Sequence, residues 1–397
     1  MIFLDAAATT PVRREAIEAM WPLLTNQFGN PSSHYGLGEE AAQALAGARE
    51  RVAGVLGCLP GEIVFTAGGT EADNLAVKGL ALARRAEDPR RTTVLISAVE
   101  HPAVAESAEY LGRVHGFVIE LVPVDADGRV DPDVFAALLG PEVAVASVMY
   151  ANNEIGTVQP IAALAAAARA AGVPFHTDAV QAAGWLELDV AALGVDALSI
   201  SGHKLGAPKG VGALYLRSRF TAEPLVHGGG QEHGVRSGTE NVAFAAALAA
   251  ALTLSEGERP EAAARVSALR EGFIAKVLEL VPGAQLTGHR SERLPSVASF
   301  VFPGTSGESV LLELERASVL CSSGSACAAG SDEPSPVLLA CGVEPEVAQT
   351  ALRFSFGASI TAAELDTAVE KLERALATVR GRGAPGGRSN TAAAGIA

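Results

Sequence analysis

The sequence predicts an α/β protein, with a mostly parallel sheet in a large domain followed by a smaller α+β domain. Three observations carry this. Short, near-continuously apolar runs alternate with Ala-rich stretches from about residue 62 to residue 216, the pattern of strands covered on both faces by helices. The character changes after Pro260, where a long helical stretch leads into a few further strand-like runs. With 397 residues the chain is also long enough that two domains are the natural expectation.

The elements follow in order. Glu62–Thr66 reads as a strand and Thr70–Arg85 as the helix after it. Thr93–Ser97, Val118–Pro123 and Val143–Tyr150 are strands; about Pro102 to Arg113, Pro132–Leu139 and Ile161–Ala171 are their helices. Val173–Thr177, Ala197–Ser201 and Gly212–Leu216 complete the sheet. Beyond Pro260, Glu261–Val281 is a long helix and Val297–Phe302, Val319–Cys321 and Leu352–Phe356 are strands. A helix lies near Val337–Ala340, and Thr361–Val379 is a last amphipathic helix. The expected division is residues 14–258 for the large domain, and 1–13 with 259–380 for the small one. Residues 381–397 are Gly/Ala/Ser-rich without periodicity and are expected to be disordered.

Composition narrows the function classes. A formal net charge of -15 argues against direct nucleic-acid binding or a membrane-surface role, since phosphate surfaces attract clustered Lys and Arg. Cys58, Cys321, Cys327 and Cys341 form no C-x-x-C pair and no trusted zinc spacing, so reduced thiols in a cytoplasmic protein are expected, and no metal. Met1-Ile2-Phe3-Leu4-Asp5 lacks a basic start and a long apolar run, so no signal peptide is expected, and no stretch suggests a membrane span.

The chemistry-bearing residues fall at predicted strand ends, where ligands sit in such sheets. Gly68-Gly69-Thr70-Glu71 joins a strand to a helix. It is either an anion-binding turn with free N–H groups or an ordinary helix start. Asp178 ends a buried strand, where a carboxylate needs a cationic partner such as a pyridinium nitrogen, or caps the next element. Lys204, in Ser201-Gly202-His203-Lys204, suits a Schiff base, with Ser201 and His203 available to a phosphate. His101, before Pro102, either stacks on a cofactor and relays protons or is structural. The succession of anion turn, Asp and Lys favours a pyridoxal-phosphate (PLP) site. Arg353 interrupts an apolar strand, as a structural ion pair or a grip for a carboxylate. Cys327 lies among small residues from Ser322 to Ser331, where a thiol can be reached; Cys321 fits a buried, inert role better.

These residues sit in longer motifs. They include Leu4-Asp5-Ala6-Ala7-Ala8-Thr9-Thr10-Pro11, Phe28-Gly29-Asn30-Pro31-Ser32-Ser33, Phe65-Thr66-Ala67-Gly68-Gly69-Thr70-Glu71-Ala72-Asp73-Asn74 and Asn152-Asn153-Glu154-Ile155-Gly156. Ser201-Gly202-His203-Lys204, Gly228-Gly229-Gly230-Gln231-Glu232, Arg236-Ser237-Gly238-Thr239 and Ser322-Ser323-Gly324-Ser325-Ala326-Cys327 complete the set. In this order, over roughly residues 1 to 378, the chain resembles the cysteine desulfurases of the NifS/IscS type, class V aminotransferase-like enzymes with the aspartate aminotransferase-like fold of PLP-dependent transferases. The cysteine run separates it from Suf-type desulfurases, whose loop is shorter.

The resemblance implies a role for each matching position. Lys204 would carry PLP in a Schiff base and remove the substrate Cα proton. Asp178 would pair with the pyridine nitrogen and Gln181 with the ring oxygen. His101 would stack on the ring, and Asn153 would contact cofactor and substrate. Gly69, Thr70, Ser201 and His203 would bind the phosphate. Thr239 would reach the neighbouring subunit's phosphate, implying a homodimer. Arg353 would bind the carboxylate of L-cysteine, and Cys327 would take its sulfur as a persulfide for a protein acceptor. That acceptor would serve iron–sulfur cluster assembly, tRNA thiolation or DNA-backbone modification. The tail after about Arg380 lacks the aromatic and acidic extension with which housekeeping members bind their scaffold. A selenocysteine lyase or another class V aminotransferase-like enzyme is the alternative.

Overall fold

The computed structural model describes residues 1–323 and 333–383. Its strands, in chain order, are β1 (Ile2–Phe3), β2 (Ile63–Thr66), β3 (Thr93–Ser97), β4 (Val118–Val122), β5 (Val143–Ser147), β6 (Phe175–Asp178) and β7 (Ala197–Ser201). They continue with β8 (Gly212–Leu216), β9 (Gln285–Leu286), β10 (Val297–Val301), β11 (Val319–Leu320), β12 (Ser322–Ser323) and β13 (Leu352–Ser355). Among the described residues, β2-β8-β7-β6-β5-β3-β4 form one large sheet. The neighbours from β7 to β4 all pair in parallel, whereas β8 runs antiparallel to both β7 and β2. The reason lies in the linker, since residues 202–211 are too few for the crossover a parallel pair requires. Every residue of β3, β5, β6, β7 and β8 is buried, as expected for strands covered on both faces.

A second, antiparallel sheet has the order β12-β13-β10-β9, and β1 pairs in parallel with β11. Phe273, Phe300, Phe302, Phe354 and Phe356 pack together behind it, with the Phe273 and Phe354 ring centroids 5.2 Å apart. Helix Val242–Leu280 serves both cores: Ala245, Leu248 and Leu252 pack under the large sheet, and Val266, Phe273 and Ile274 under the small one. The expected break near residue 259 therefore falls inside a continuous helix. Pro260 removes one N–H donor, and the packing on either side carries the helix through it.

Expectations about element ends are corrected in places. The last helix is Ala362–Gly383, so the helix reaches three residues into the expected tail; 384–397 lie outside the described residues. Helices Arg14–Thr25 and Gly36–Leu56 were not foreseen. The first carries Pro22 inside it, and the second is broken up in sequence by glycines. Gly38 is there for space, because a Cβ would lie 2.2 Å from the Ser33 carbonyl oxygen.

One buried ion pair ties this layer to the sheet. Arg49 donates to both carboxylate oxygens of Glu232, at 2.8 and 2.7 Å, and Glu232 also accepts from the Phe65 N–H. Both side chains are nearly buried. Glu232→Ala strands the guanidinium, and an expected loss of about 3–5 kcal/mol follows. A fall in the denaturant midpoint checks it; an unchanged midpoint refutes it.

Candidate active site

A cavity of about 870 Å³ opens at the carboxyl ends of the large sheet, within the roughly 300–1,000 Å³ usual for small-molecule sites. Gly69, Thr70, His101, Asn153, Asp178, Gln181, Ser201, His203, Lys204 and Arg353 line it. Thr239 does not; it is exposed elsewhere on the surface. Cys327 lies outside the described residues.

Each lining residue is placed by local chemistry. Gly69 begins the helical run that follows β2, and the run contains a π-helical turn at Leu75–Gly79. A Cβ on Gly69 would meet Val180 Cγ2 at 2.7 Å and Ser201 Cβ at 3.2 Å, so glycine lets this turn press against the end of β7. Asp178 is the last residue of β6, and its Oδ1 accepts the Val180 N–H at 2.8 Å. The carboxylate thus caps a turn and lines the cavity at once. His101 caps helix Pro102–His115 by accepting the Ala103 N–H on Nδ1 at 3.1 Å. Asn152 forms the turn that carries Asn153, accepting the Glu154 and Ile155 N–H groups on Oδ1.

The segment Leu4–Thr10 closes the cavity from the small-sheet side. The Lys204 ammonium donates to the Ala7 and Ala8 carbonyls, the latter at 2.8 Å. Gln181 Nε2 donates to the Ala7 carbonyl at 3.1 Å, and His203 Nδ1 meets Thr9 Oγ1 at 3.1 Å. Arg353, on β13, donates from Nη1 to the Asn153 carbonyl at 2.8 Å and from Nη2 to Asp5 Oδ1 at 2.7 Å. It is an ion pair, yet it also lines the cavity, and its buried Nε has no hydrogen-bond partner among the described residues. Sequence reasoning assigned no role to Asp5, Ala7, Ala8 or Asp73, although all four lie within quoted motifs.

Burial sets the charge pattern. It pushes the Asp178 carboxyl up, and His101 and Lys204 pull it back toward the anion. Burial pushes the His101 imidazole down, with Asp178 opposing. His203 is lowered to about 4, chiefly by burial and then by Lys204, so near neutrality it offers an uncharged ring. The three cysteines among the described residues are all free, and burial pushes each thiol up to about 12: Cys58, Cys321 and Cys341. None of them is a ready thiolate.

Comparison with known proteins bears on this arrangement. The aminotransferase class-V family matches residues 2–367. The chain is 44% identical over 379 residues to the cysteine desulfurase IscS of Dictyoglomus turgidum, covering 96% of this chain and 95% of that one. A solved NifS-like protein superposes with a TM-score of 0.88 at 34% identity, over 95% of this chain and 99% of its own. The structure of SspA in complex with cysteine gives a TM-score of 0.78 at 34% identity, over 90% of this chain and 99% of its own.

The chain belongs to the class-V aminotransferase family, in its cysteine desulfurase group.

Members of this family are PLP-dependent, and the residues present suit that cofactor. The buried Asp178 carboxylate, with one backbone donor on Oδ1, would suit a protonated ring nitrogen. The tight Gly69 turn beside Ser201 and His203 offers a phosphate backbone N–H groups at a helix start. The Lys204 amine lies in the same cavity. Among the described residues no helix is long and apolar enough to cross a membrane.

Proposed function

We propose that this cysteine desulfurase works through Lys204, Asp178, His101 and Arg353 on PLP and through Cys327 on the sulfur of L-cysteine. The observation that carries the reading is convergence: an amine, a buried carboxylate and a partly free guanidinium from three separate elements meet in one cavity. When bound, PLP supplies an electron sink for the carbanion formed at the substrate Cα.

The protein's own groups do the rest. Arg353, already fixed by Asp5 and Asn153, has Nε left for the substrate carboxylate. That contact orients the Cα–H toward Lys204, which removes the proton once its amine is free. The Cys327 thiolate attacks the substrate sulfur. An S–S bond forms, the Cβ–S bond breaks, and the electron pair stays with carbon. A proton delivered to that carbon, and the return of the Cα proton from Lys204, give L-alanine, and Cys327 is left as a persulfide, which a protein acceptor thiol consumes. His101, at the cavity wall with its imidazole pushed down by burial and pulled up by Asp178, is the nearby proton relay.

A homodimer belongs to the proposal. Ile17, Trp21 and Leu24 form an exposed stripe on helix Arg14–Thr25, and Phe28 and Tyr35 continue it, Trp21 and Phe28 being 61% and 66% exposed. A patch of that kind is covered by a second copy, and Thr239, away from its own cavity, then serves the partner's site. The sulfur goes to a protein acceptor for iron–sulfur clusters or for thio-modification of tRNA or DNA, in a cytoplasmic compartment that keeps the thiol reduced. The test is direct. Purified protein with L-cysteine and a thiol reductant should release alanine and sulfide in equal amounts, and mass spectrometry of the reductant-free reaction should find one added sulfur atom on the Cys327 peptide. Amino transfer to a 2-oxo acid without sulfide would refute the reading.

A further inference from the structure

Three buried carboxyl groups crowd the end of the cavity where Asp178 lies. Asp73, on the helix start Gly69–Asn74, is only 1% exposed and lines the cavity. Ligand atoms of Asp73, His101 and Asp178 all lie within 4.8 Å of one another. Glu100 is buried beside them, with Oε1 accepting from Ser97 Oγ at 2.5 Å and from the Met149 N–H at 2.7 Å. Asp73 Oδ1 is buried and has no hydrogen-bond partner among the described residues.

These groups are not equally equipped to hold charge. Asp178 has the Val180 N–H on Oδ1 and faces both His101 and Lys204. Asp73 has a hydrogen bond from Ser199, and among the described residues no Lys or Arg pairs with it. The nearest base, His176 Nε2, is 3.7 Å from Oδ1. That ring is held between Ser147 Oγ at 2.8 Å and Ser199 Oγ at 3.0 Å, and burial lowers it to about 3, so it is neutral. Burial, then Asp178 and Glu100, push the Asp73 carboxyl well above the usual carboxylate range. Glu100 is raised to about 8, mainly by burial. A ring nitrogen brings one positive charge, and it can balance one of these carboxylates.

We propose that Asp73 is a positioning residue for the cofactor: it stays the neutral acid, leaves Asp178 as the single ring-facing anion, and turns its hydroxyl toward that anion directly or through one water. This rests on the PLP reading above. Donation to Asp178 lowers that group's basicity, so the proton shared between Asp178 and the ring stays on the ring nitrogen. Asp73 thereby acts on the ring through Asp178.

The experiment compares wild type, Asp73→Asn and Asp73→Leu, each reconstituted with PLP isotope-labelled at the ring nitrogen. Asp73→Asn keeps a donor without charge. It is expected to preserve the ring-nitrogen resonance and to hold PLP affinity within about twofold, while an infrared carboxylic-acid band disappears. Asp73→Leu removes the donor and is expected to move the resonance and weaken PLP binding by about tenfold. If Asp73→Asn shifts the resonance as Asp73→Leu does, Asp73 acts as an anion and the proposal fails. It fails equally if neither variant moves it. Should Asp73→Leu not fold, the infrared difference for Asp73→Asn decides alone: no lost acid band overturns the proposal. A wild type that binds no PLP instead overturns the PLP reading and leaves a distinct signature.

Discussion

Cys327→Ala is expected to lower L-cysteine turnover by at least about a thousandfold while the protein still binds PLP and substrate. Every group proposed to hold cofactor and carboxylate lies elsewhere in the chain, so binding is expected to survive. What is lost is the nucleophile for the Cβ–S cleavage. The remaining thiols cannot substitute, because burial raises Cys58, Cys321 and Cys341 to about 12. Alanine release and the cofactor's absorbance change on adding L-cysteine separate the two effects. A variant that still releases alanine from L-cysteine at the wild-type rate removes Cys327 from the mechanism. Parallel assays with L-selenocysteine discriminate the closest alternative: a selenocysteine lyase keeps its selenium activity in this variant and shows little cysteine activity before the change.

Lys204→Ala is expected to have a comparable effect by a different route. It removes both the proposed covalent anchor for PLP and the proposed base for the Cα proton, and a loss of at least about a thousandfold in turnover follows. The Ala7 carbonyl keeps Gln181 as a donor, and the Ala8 carbonyl loses its Lys204 donor but lines an open cavity where water can replace it. The fold should therefore persist, with an unchanged circular dichroism spectrum. PLP is expected to become removable by gel filtration, and small primary amines should restore part of the activity. Retention of a borohydride-reducible PLP adduct on another lysine would show that Lys204 is not the anchor.

How far the sequence exposes such a site depends on where the partners lie. β3, β7 and β8 match expectation residue for residue, because each is a short apolar run between clear breakers. Asp178, Ser201 and Lys204 were legible because a strand end concentrates polar residues that have no other reason to be there. Asp73 was not. An acidic residue in the first turns of a helix reads as ordinary dipole compensation, and only the packing of Ser199, His176 and Asp178 around it makes it unusual. The Arg353–Asp5 pair was hidden by distance, its members being 348 residues apart. Arg353 alone therefore left ion pair and substrate grip as equal readings, and the structure shows one guanidinium engaged in the first with Nε left over. Helix Arg14–Thr25 escaped for another reason: Ala16, Met20 and Leu23 face the core while Ile17, Trp21 and Leu24 face outward, so apolar residues on both sides blur the helical period.

The Leu4–Thr10 segment also fixes when the catalyst can exist. Its partners include Lys204 in the middle of the chain and Arg353 and Ser355 near the end of the described residues. The ribosome makes this segment well before its partners, and its last contacts form only after residue 355 has emerged. The large sheet, complete by Leu216, can assemble long before that. A nascent chain can thus own a folded core and most of the proposed cofactor cradle while lacking the guanidinium proposed to grip the substrate. Catalytic readiness is then a late event in the protein's synthesis, signalled by an early segment meeting a late one.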